Sequence, residues 1–228
     1  MADKPRVKAP KQRTTSDPTT AAEKRRMLML GGGAVAALAA VAGVVALVGI
    51  GWGSGPSPEE VRADLEAAGC TLQAVDAEPG RHSLTADGTA KWNTDPPTNG
   101  PHFGFDASGN LGTVIWGVYE EPLQLARVVH NLEHGGVYVF YGDDVPESVV
   151  AELRTFYERH ERGTLLAPYP ELGDKVALGA WVADGDGDNG YLAKCAKFDE
   201  PAFSAFFSGF QFKGPERLPA SSLLPGGN

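Results

Sequence analysis

The chain has 228 residues, of which 42% are hydrophobic and 21% are charged, and this suits one folded domain and excludes a large multidomain assembly. The formal net charge is −9, but residues 1–26 carry eight Lys or Arg against three Asp or Glu, whereas residues 59–228 carry 12 against 26. An acidic body argues against nucleic acid as a partner, since nucleic-acid binding needs a basic face. The sequence contains no P-loop, and we expect no nucleotide cofactor.

A charge-free stretch follows the basic N-terminus. Residues 27–51 contain no charged side chain, and as a helix they would span roughly 37 Å, enough to cross a bilayer as a transmembrane helix. Because Lys and Arg favour the cytoplasmic side, we expect residues 1–26 to form a disordered cytoplasmic tail and the C-terminal domain to be extracytoplasmic. The alternative is a cleaved signal peptide, but its apolar run would be shorter. The sequence therefore predicts a single-pass protein of the cell membrane.

Beyond a linker at 52–58, helix and strand patterns alternate. Ser57 and Glu60 form a capping box around Pro58, and Gly69 ends the helix that follows. The run 137–141 is dense in β-forming residues. The other predicted helices lie at 122–134, 146–160 and 200–209. The other predicted strands lie at 71–77, 81–85, 114–119, 165–167 and 175–183. The clearest turns lie at 93–101 and 184–190.

This order of elements predicts the α+β fold class. We expect one extracytoplasmic domain over residues 59–214, with a mainly antiparallel or mixed sheet and about four helices. Residues 215–228 are expected to form a loose C-terminal tail.

The two cysteines, Cys70 and Cys195, both lie in the part of the chain predicted to be outside the cell. An even number of cysteines in an oxidising compartment favours one disulfide bond. A free catalytic cysteine is the alternative. The absence of a C-x-x-C motif from the sequence argues against a thiol oxidoreductase.

The densest group of polar side chains is the run H-N-L-E-H at 130–134. His130 and His134 are one helical turn apart, so their rings can reach one metal ion, but two ligands are only half a site. His102, which ends a proline-rich turn, is the natural third ligand, and Glu133 is the candidate for a fourth ligand or for a residue that orients the others. Imidazole ligands suit Zn or Cu.

Two other interpretations of these residues stay open. The first is a structural cluster, in which His102 donates to Glu133 and the protein is a non-catalytic interaction module of the envelope. The second is a metal-dependent hydrolase, because the run also fits the H-x-x-E-H motif, in which the glutamate serves as the base. Whether the protein is an enzyme is left open. His82 and His160 are interpreted as isolated.

Several stretches together resemble a known family. They are PPTNGPHF at 96–103, GVYEEPL at 117–123, VVHNLEHGGVYVFY at 128–141 and GAW at 179–181. They resemble a family of bacterial membrane-anchored proteins known as domain of unknown function 3105, over roughly residues 70–215. The resemblance implies a single extracytoplasmic α+β domain behind an N-terminal anchor, with His102, His130, Glu133 and His134 as its recurring polar residues. It implies no activity, and the protein partner is unknown.

Overall fold

A computed structural model describes residues 55–79, 81–83, 90–105, 112–184 and 187–227. The predicted cytoplasmic tail and transmembrane helix, residues 1–51, lie outside the described residues. Within the described ranges, no helix combines the length and hydropathy that a membrane crossing needs.

The described chain contains four α-helices and six strands. In chain order they are α1 (Pro58–Ala67), β1 (Cys70–Asp76), β2 (Gly117–Val118), α2 (Leu125–Glu133), β3 (Val137–Tyr141), α3 (Glu147–Arg159), β4 (Thr164–Pro168), β5 (Val176–Asp184), β6 (Gly187–Cys195) and α4 (Glu200–Phe210). The capping box between Ser57 and Glu60 is present at the start of α1.

The strands form one mixed sheet in the order β1-β6-β5-β3-β4-β2. β3 and β2 each run parallel to β4, whereas the β1–β6, β6–β5 and β5–β3 pairs are antiparallel. Helix α3 makes the crossover between β3 and β4, as a parallel connection requires. The predicted α+β class with a mixed sheet and four helices is confirmed.

The sheet is covered on both faces. Helices α1, α3 and α4 pack on one face, around side chains such as Leu153, Phe156 and Phe203. Helix α2 packs on the other face against Tyr138 and Trp181, together with the irregular segments before and after it. The polar residues predicted to form a site all lie on this second face or in the segments that cover it.

Strand β6 is a difference from the sequence prediction, which placed a turn at 184–190 and no strand after it. In the structure β5 and β6 form a hairpin in which Asp184 is paired with Gly187. β6 lies between β1 and β5, so its residues Tyr191, Leu192 and Ala193 are buried in succession. A strand covered on both faces loses the alternation that identifies a half-buried strand.

The predicted strands at 81–85 and 114–119 also differ. Residues 81 and 82 lie in a turn and residues 84 and 85 lie outside the described residues, whereas the second strand is reduced to the two residues of β2. The side chain of Asn131 takes the place of a strand partner for Val114, because its Oδ1 accepts from the Val114 N–H at 2.7 Å and its Nδ2 donates to the Val114 carbonyl at 2.8 Å.

The segment 215–227, predicted to be a loose tail, is packed on the domain. The backbone N–H groups of Glu216 and Leu218 donate to the carbonyls of Glu133 and His134, at 3.0 and 3.2 Å. Leu223 is almost fully buried. The tail thus satisfies carbonyl groups that the C-terminal end of α2 leaves without a partner inside the helix.

Cys70 and Cys195 form a disulfide bond. They are directly opposite each other in the β1–β6 pair, so the bond fastens the edge strand β1 to its neighbour. The two residues are 125 positions apart in the sequence.

Candidate metal centre

Helix α2 supplies two of the side chains at the centre of the polar cluster. His130 and Glu133 are three residues apart, so they lie on the same side of the helix. Only 2% of His130 and none of Glu133 is exposed to solvent. The segment that carries His102 covers this side of α2, and its Phe103 N–H donates to the carbonyl of Ala126.

His102 is fully buried and held by its own loop. Gly100 has a φ of +104°, which glycine tolerates better than other residues, and this turns its carbonyl toward the His102 ring. The loop is fixed further by the hydrogen bond between the Thr94 and Thr98 hydroxyls and by the bond from the Glu78 N–H to the Asn99 side chain.

The hydrogen bonds of His102 determine which ring nitrogen carries a proton. Nδ1 lies 2.8 Å from the Gly100 carbonyl, which can only accept, so Nδ1 must be the donor. In the neutral ring Nε2 therefore carries a lone pair, and it lies 3.0 Å from Oε2 of Glu133. A lone pair and a carboxylate repel each other at this distance, unless the imidazole or the carboxyl is protonated or a cation lies between them. Histidines that bind metals usually donate their other ring N–H to a carbonyl or carboxylate in this way.

His82 completes the cluster, and its interpretation as an isolated histidine is wrong. Its Nε2 lies 3.1 Å from Oε2 of Glu133, and its side chain is 38% exposed. His82 has a φ of +53°, a left-handed conformation that is uncommon for a residue with a side chain. The surrounding sequence shows no periodicity or motif that distinguishes His82, so only the folded structure reveals it.

His82, His102, His130 and Glu133 form a group that could hold a metal ion. Each offers one ligand atom, and these atoms all lie within 4.8 Å of one another. The centroids of the three rings are 4.9, 5.0 and 5.1 Å apart. Ligand atoms around one tetrahedral ion would be about 3.3 Å apart, so modest inward shifts would close the group on an ion.

His134, which was predicted as a ligand together with His102 and His130, lies beside this group and is not one of its four members. Its ring centroid is 4.6 Å from that of His130. His134 is the residue that caps the C-terminal end of α2, and burial lowers the pKa of its ring. A metal bound by the H-x-x-E-H motif needs both histidines of that motif, and only His130 is in the group.

The charges of the buried residues suit a cation. Burial, together with the neighbouring His134 and His102, lowers the pKa of His130 to about 3, so this ring is neutral at physiological pH. Burial alone would raise the pKa of the Glu133 carboxyl, but the neighbouring His102, His82 and Arg81 together lower it. Among the described residues, His130 Nδ1 has no hydrogen-bond partner although it is buried.

Arg81 is the other charged side chain beside the group. Its Nε lies 3.3 Å from Oε1 of Glu133, an ion-pair distance without the alignment of a hydrogen bond. The guanidinium also pairs with Asp188 on β6 and lies 5.0 Å from the centre of the Trp181 ring system. Trp181 in turn meets the His102 ring edge-on at 5.8 Å. Arg81 therefore joins the cluster to the β5–β6 hairpin.

The glycines at 135 and 136 shape the chain after the helix. Gly135 has a φ of +93°, which ends α2 and leads the backbone into β3. Gly136 lies under Trp116, where an added Cβ would come within 2.2 Å of the indole ring. The two glycines thus set the turn after α2 and leave room for Trp116 against it.

The fold and the cluster define a mixed-sheet α+β domain with a buried histidine and glutamate group. The model of a family described as a protein of unknown function (DUF3105) matches residues 83–222, more than half of the chain, and the chain belongs to this family. No curated protein and no solved structure gives a significant match. The family description assigns no activity, so the function has to be argued from the residues of the site.

Proposed function

We propose that this protein is a membrane-anchored, extracytoplasmic domain that binds a divalent transition-metal ion through His82, His102, His130 and Glu133. One observation carries the proposal. The Gly100 carbonyl holds the proton of His102 on Nδ1, which leaves the Nε2 lone pair facing a group of ligand atoms that lie within 4.8 Å of one another.

The donor set indicates which metal. Three imidazoles and one carboxylate suit Zn or Cu(II), whereas calcium and magnesium prefer oxygen donors and Cu(I) prefers sulfur. The two cysteines are joined to each other, so they offer no thiolate. We assign Zn²⁺ first and Cu²⁺ as the alternative.

The location outside the cell membrane is supported by the sequence and by the disulfide. The charge-free stretch at 27–51 follows eight basic residues, and this asymmetry favours an N-terminus in the cytoplasm. Disulfide bonds persist in oxidising compartments, and one joins Cys70 to Cys195. Both features agree with a domain on the outer side of the membrane.

Reconstitution of the full-length chain tests the metal proposal. The purified chain is stripped with a chelator, incubated with Zn²⁺, freed of excess ion and analysed for bound zinc by mass spectrometry. We expect about one ion per chain, and little or none for the His102→Ala and His130→Ala variants. His160→Ala is the matched control, because His160 lies at the end of α3 and donates to the Phe156 carbonyl, outside the cluster. A wild-type content far below one ion per chain would overturn the proposal.

A second candidate function rests on Arg81. A buried carboxylate needs a counter-charge, and the Arg81 guanidinium at 3.3 Å from Glu133 can supply it without a metal. The cluster would then be structural, and the protein would be a non-catalytic interaction module of the envelope. In this case Zn²⁺ and chelator give the same melting temperature, whereas a metal-binding domain melts at a higher temperature with Zn²⁺.

A further inference from the structure

The four residues of the proposed metal site differ in their access to solvent. His130, His102 and Glu133 are between 0 and 2% exposed, whereas the side chain of His82 is 38% exposed. The neighbouring Arg81 side chain is 36% exposed. The solvent-facing side of the group is therefore formed by His82 and Arg81.

The four residues also differ in how firmly the fold holds them. His130 and Glu133 are on α2, and His102 is fixed by its bond to Gly100 and its contact with Trp181. His82 lies in a turn, with a left-handed backbone that most side chains avoid. Releasing this ring from the group would relieve backbone strain, which partly offsets the loss of its contact with Glu133.

Charge indicates what kind of group would replace His82. With Glu133 and Asp188 ionised and Arg81 positive, a bound divalent ion leaves the site with a net positive charge. An anionic oxygen donor on the solvent side would neutralise it. A carboxylate fits best, since one oxygen can bind the ion while the other accepts from the Arg81 guanidinium.

We propose that His82 is the exchangeable ligand of this site, and that an incoming carboxylate takes its place on the metal beside Arg81. This inference rests on the proposed metal-binding function. Three buried ligands retain the ion during the exchange. One bond from the ion to a ring nitrogen of His82 breaks as one bond to a carboxylate oxygen forms, and no oxidation or reduction takes place. The site would bind a small carboxylic acid, or a carboxylate side chain of another protein, through the ion.

Chemical rescue tests the exchange position. The full-length chain is loaded with Co²⁺, whose visible spectrum reports the ligands, and the affinity is measured with and without added imidazole. We expect His82→Ala to weaken binding roughly tenfold or more and imidazole to restore it, because the vacated position opens to solvent. His102→Gln and His130→Gln should not be rescued, because their positions are buried. His160→Ala is the control. Melting temperatures measured in chelator show which variants fold. His82→Gln is a second variant of the exchangeable residue.

A titration with acetate tests the incoming group. Acetate should change the Co²⁺ spectrum of the wild type, act at lower concentration on His82→Ala, and act roughly tenfold more weakly when Arg81→Gln is added to His82→Ala. The same titration with a peptide that carries a single Glu side chain distinguishes the two sources of the carboxylate. If the peptide acts at a lower concentration than acetate, the carboxylate belongs to another protein, and if acetate acts at a lower concentration, it belongs to a small acid.

Three outcomes would overturn the inference. The first is an unchanged affinity for Co²⁺ in His82→Ala, which would show that His82 is not a ligand. The second is equal rescue by imidazole in the buried variants. The third is a His82→Ala spectrum that acetate leaves unchanged. A wild-type chain that binds no Co²⁺ or Zn²⁺ is a different result, because it overturns the proposed function itself.

Discussion

Nε2 of His102 lies 3.0 Å from Oε2 of Glu133, and both side chains are fully buried. The residues are 31 positions apart, and they meet because the proline-rich loop folds over the polar side of α2. The other nitrogen of the ring is already committed to the Gly100 carbonyl. The contact therefore places a ring of fixed orientation against a carboxylate that is shielded from water. The stability and the metal binding expected of the cluster both depend on this contact.

Removing one partner of this contact should destabilise the protein strongly. In chelator, we expect His102→Ala to lower the free energy of unfolding by about 3–5 kcal/mol, because it removes the buried polar partner of the Glu133 carboxylate. The double variant His102→Ala/Glu133→Gln should lose much less than the sum of the two single variants. Urea denaturation of the four proteins measures the coupling, and strictly additive losses would show that the two side chains do not interact.

Zinc should protect the folded chain. At a free Zn²⁺ concentration about 100 times the Kd, binding to the folded state alone adds about 2.7 kcal/mol to the free energy of unfolding. We expect a higher melting temperature in Zn²⁺ than in chelator for the wild type and for His160→Ala. His130→Ala should show no such difference, and a zinc effect that persists in it would place the ion elsewhere on the protein.

The side chain of Asn131 should be important for stability although it has no role in binding. It makes two hydrogen bonds with the backbone of Val114 in a buried environment, so Asn131→Ala leaves two buried backbone groups unpaired. We expect a loss of about 2–3 kcal/mol in the free energy of unfolding, measured in urea. The control is Asn93→Ala, because Asn93 is exposed and donates to the carbonyl of Asp76. The control should lose less than about 0.5 kcal/mol, and equal losses in both variants would contradict the explanation.

Gly179 should not accept even a methyl group. It lies opposite Tyr138 in the β3–β5 pair, and an added Cβ would come within 2.1 Å of the Tyr138 ring. We expect Gly179→Ala to lower the free energy of unfolding by about 1–3 kcal/mol through overpacking. Gly117→Ala is the matched control in the sheet, since the nearest atom lies 4.0 Å from its added Cβ. Thermal melts of the two variants should differ clearly, and similar melting temperatures would show that the Tyr138 ring moves aside freely.

Loss of the disulfide should also weaken the domain. The bond between Cys70 and Cys195 closes a long loop, so replacing both residues by Ser should cost about 2–4 kcal/mol. The ladder between β1 and β6 still aligns the two positions, so we expect a lower melting temperature with a native far-ultraviolet spectrum. A variant that melts at the wild-type temperature would show that the bond adds nothing to the pairing of the strands.

The sequence predicts the local features of this fold better than its long-range contacts. The capping box at Ser57 and the β run at 137–141 depend on near neighbours, and both are present. Strand β6 is missed because a strand buried on both faces shows no alternation. The sequence also points to His102 and His130, since a rigid turn and a helical spacing make them conspicuous.

His82 illustrates the limit of that reasoning. It lies 51 residues before Glu133, in a turn without periodicity, and only the folding of the chain brings the two side chains together. His134 is the opposite case, because its helical spacing suggested a ligand, and the structure leaves it beside the group with its ring 4.6 Å from that of His130. Spacing along a helix predicts which side chains share a face, but the segments covering that face decide which of them meet.

The C-terminal segment also sets a practical boundary for work on this domain. Because the carbonyls of Glu133 and His134 accept from the backbone of Glu216 and Leu218, a recombinant fragment that stops before residue 216 would expose the end of the helix that carries His130. Measurements on such a fragment would report on an altered cluster, even though the fragment contains every candidate ligand. Crystallisation and metal-analysis fragments should therefore retain residues 215–227.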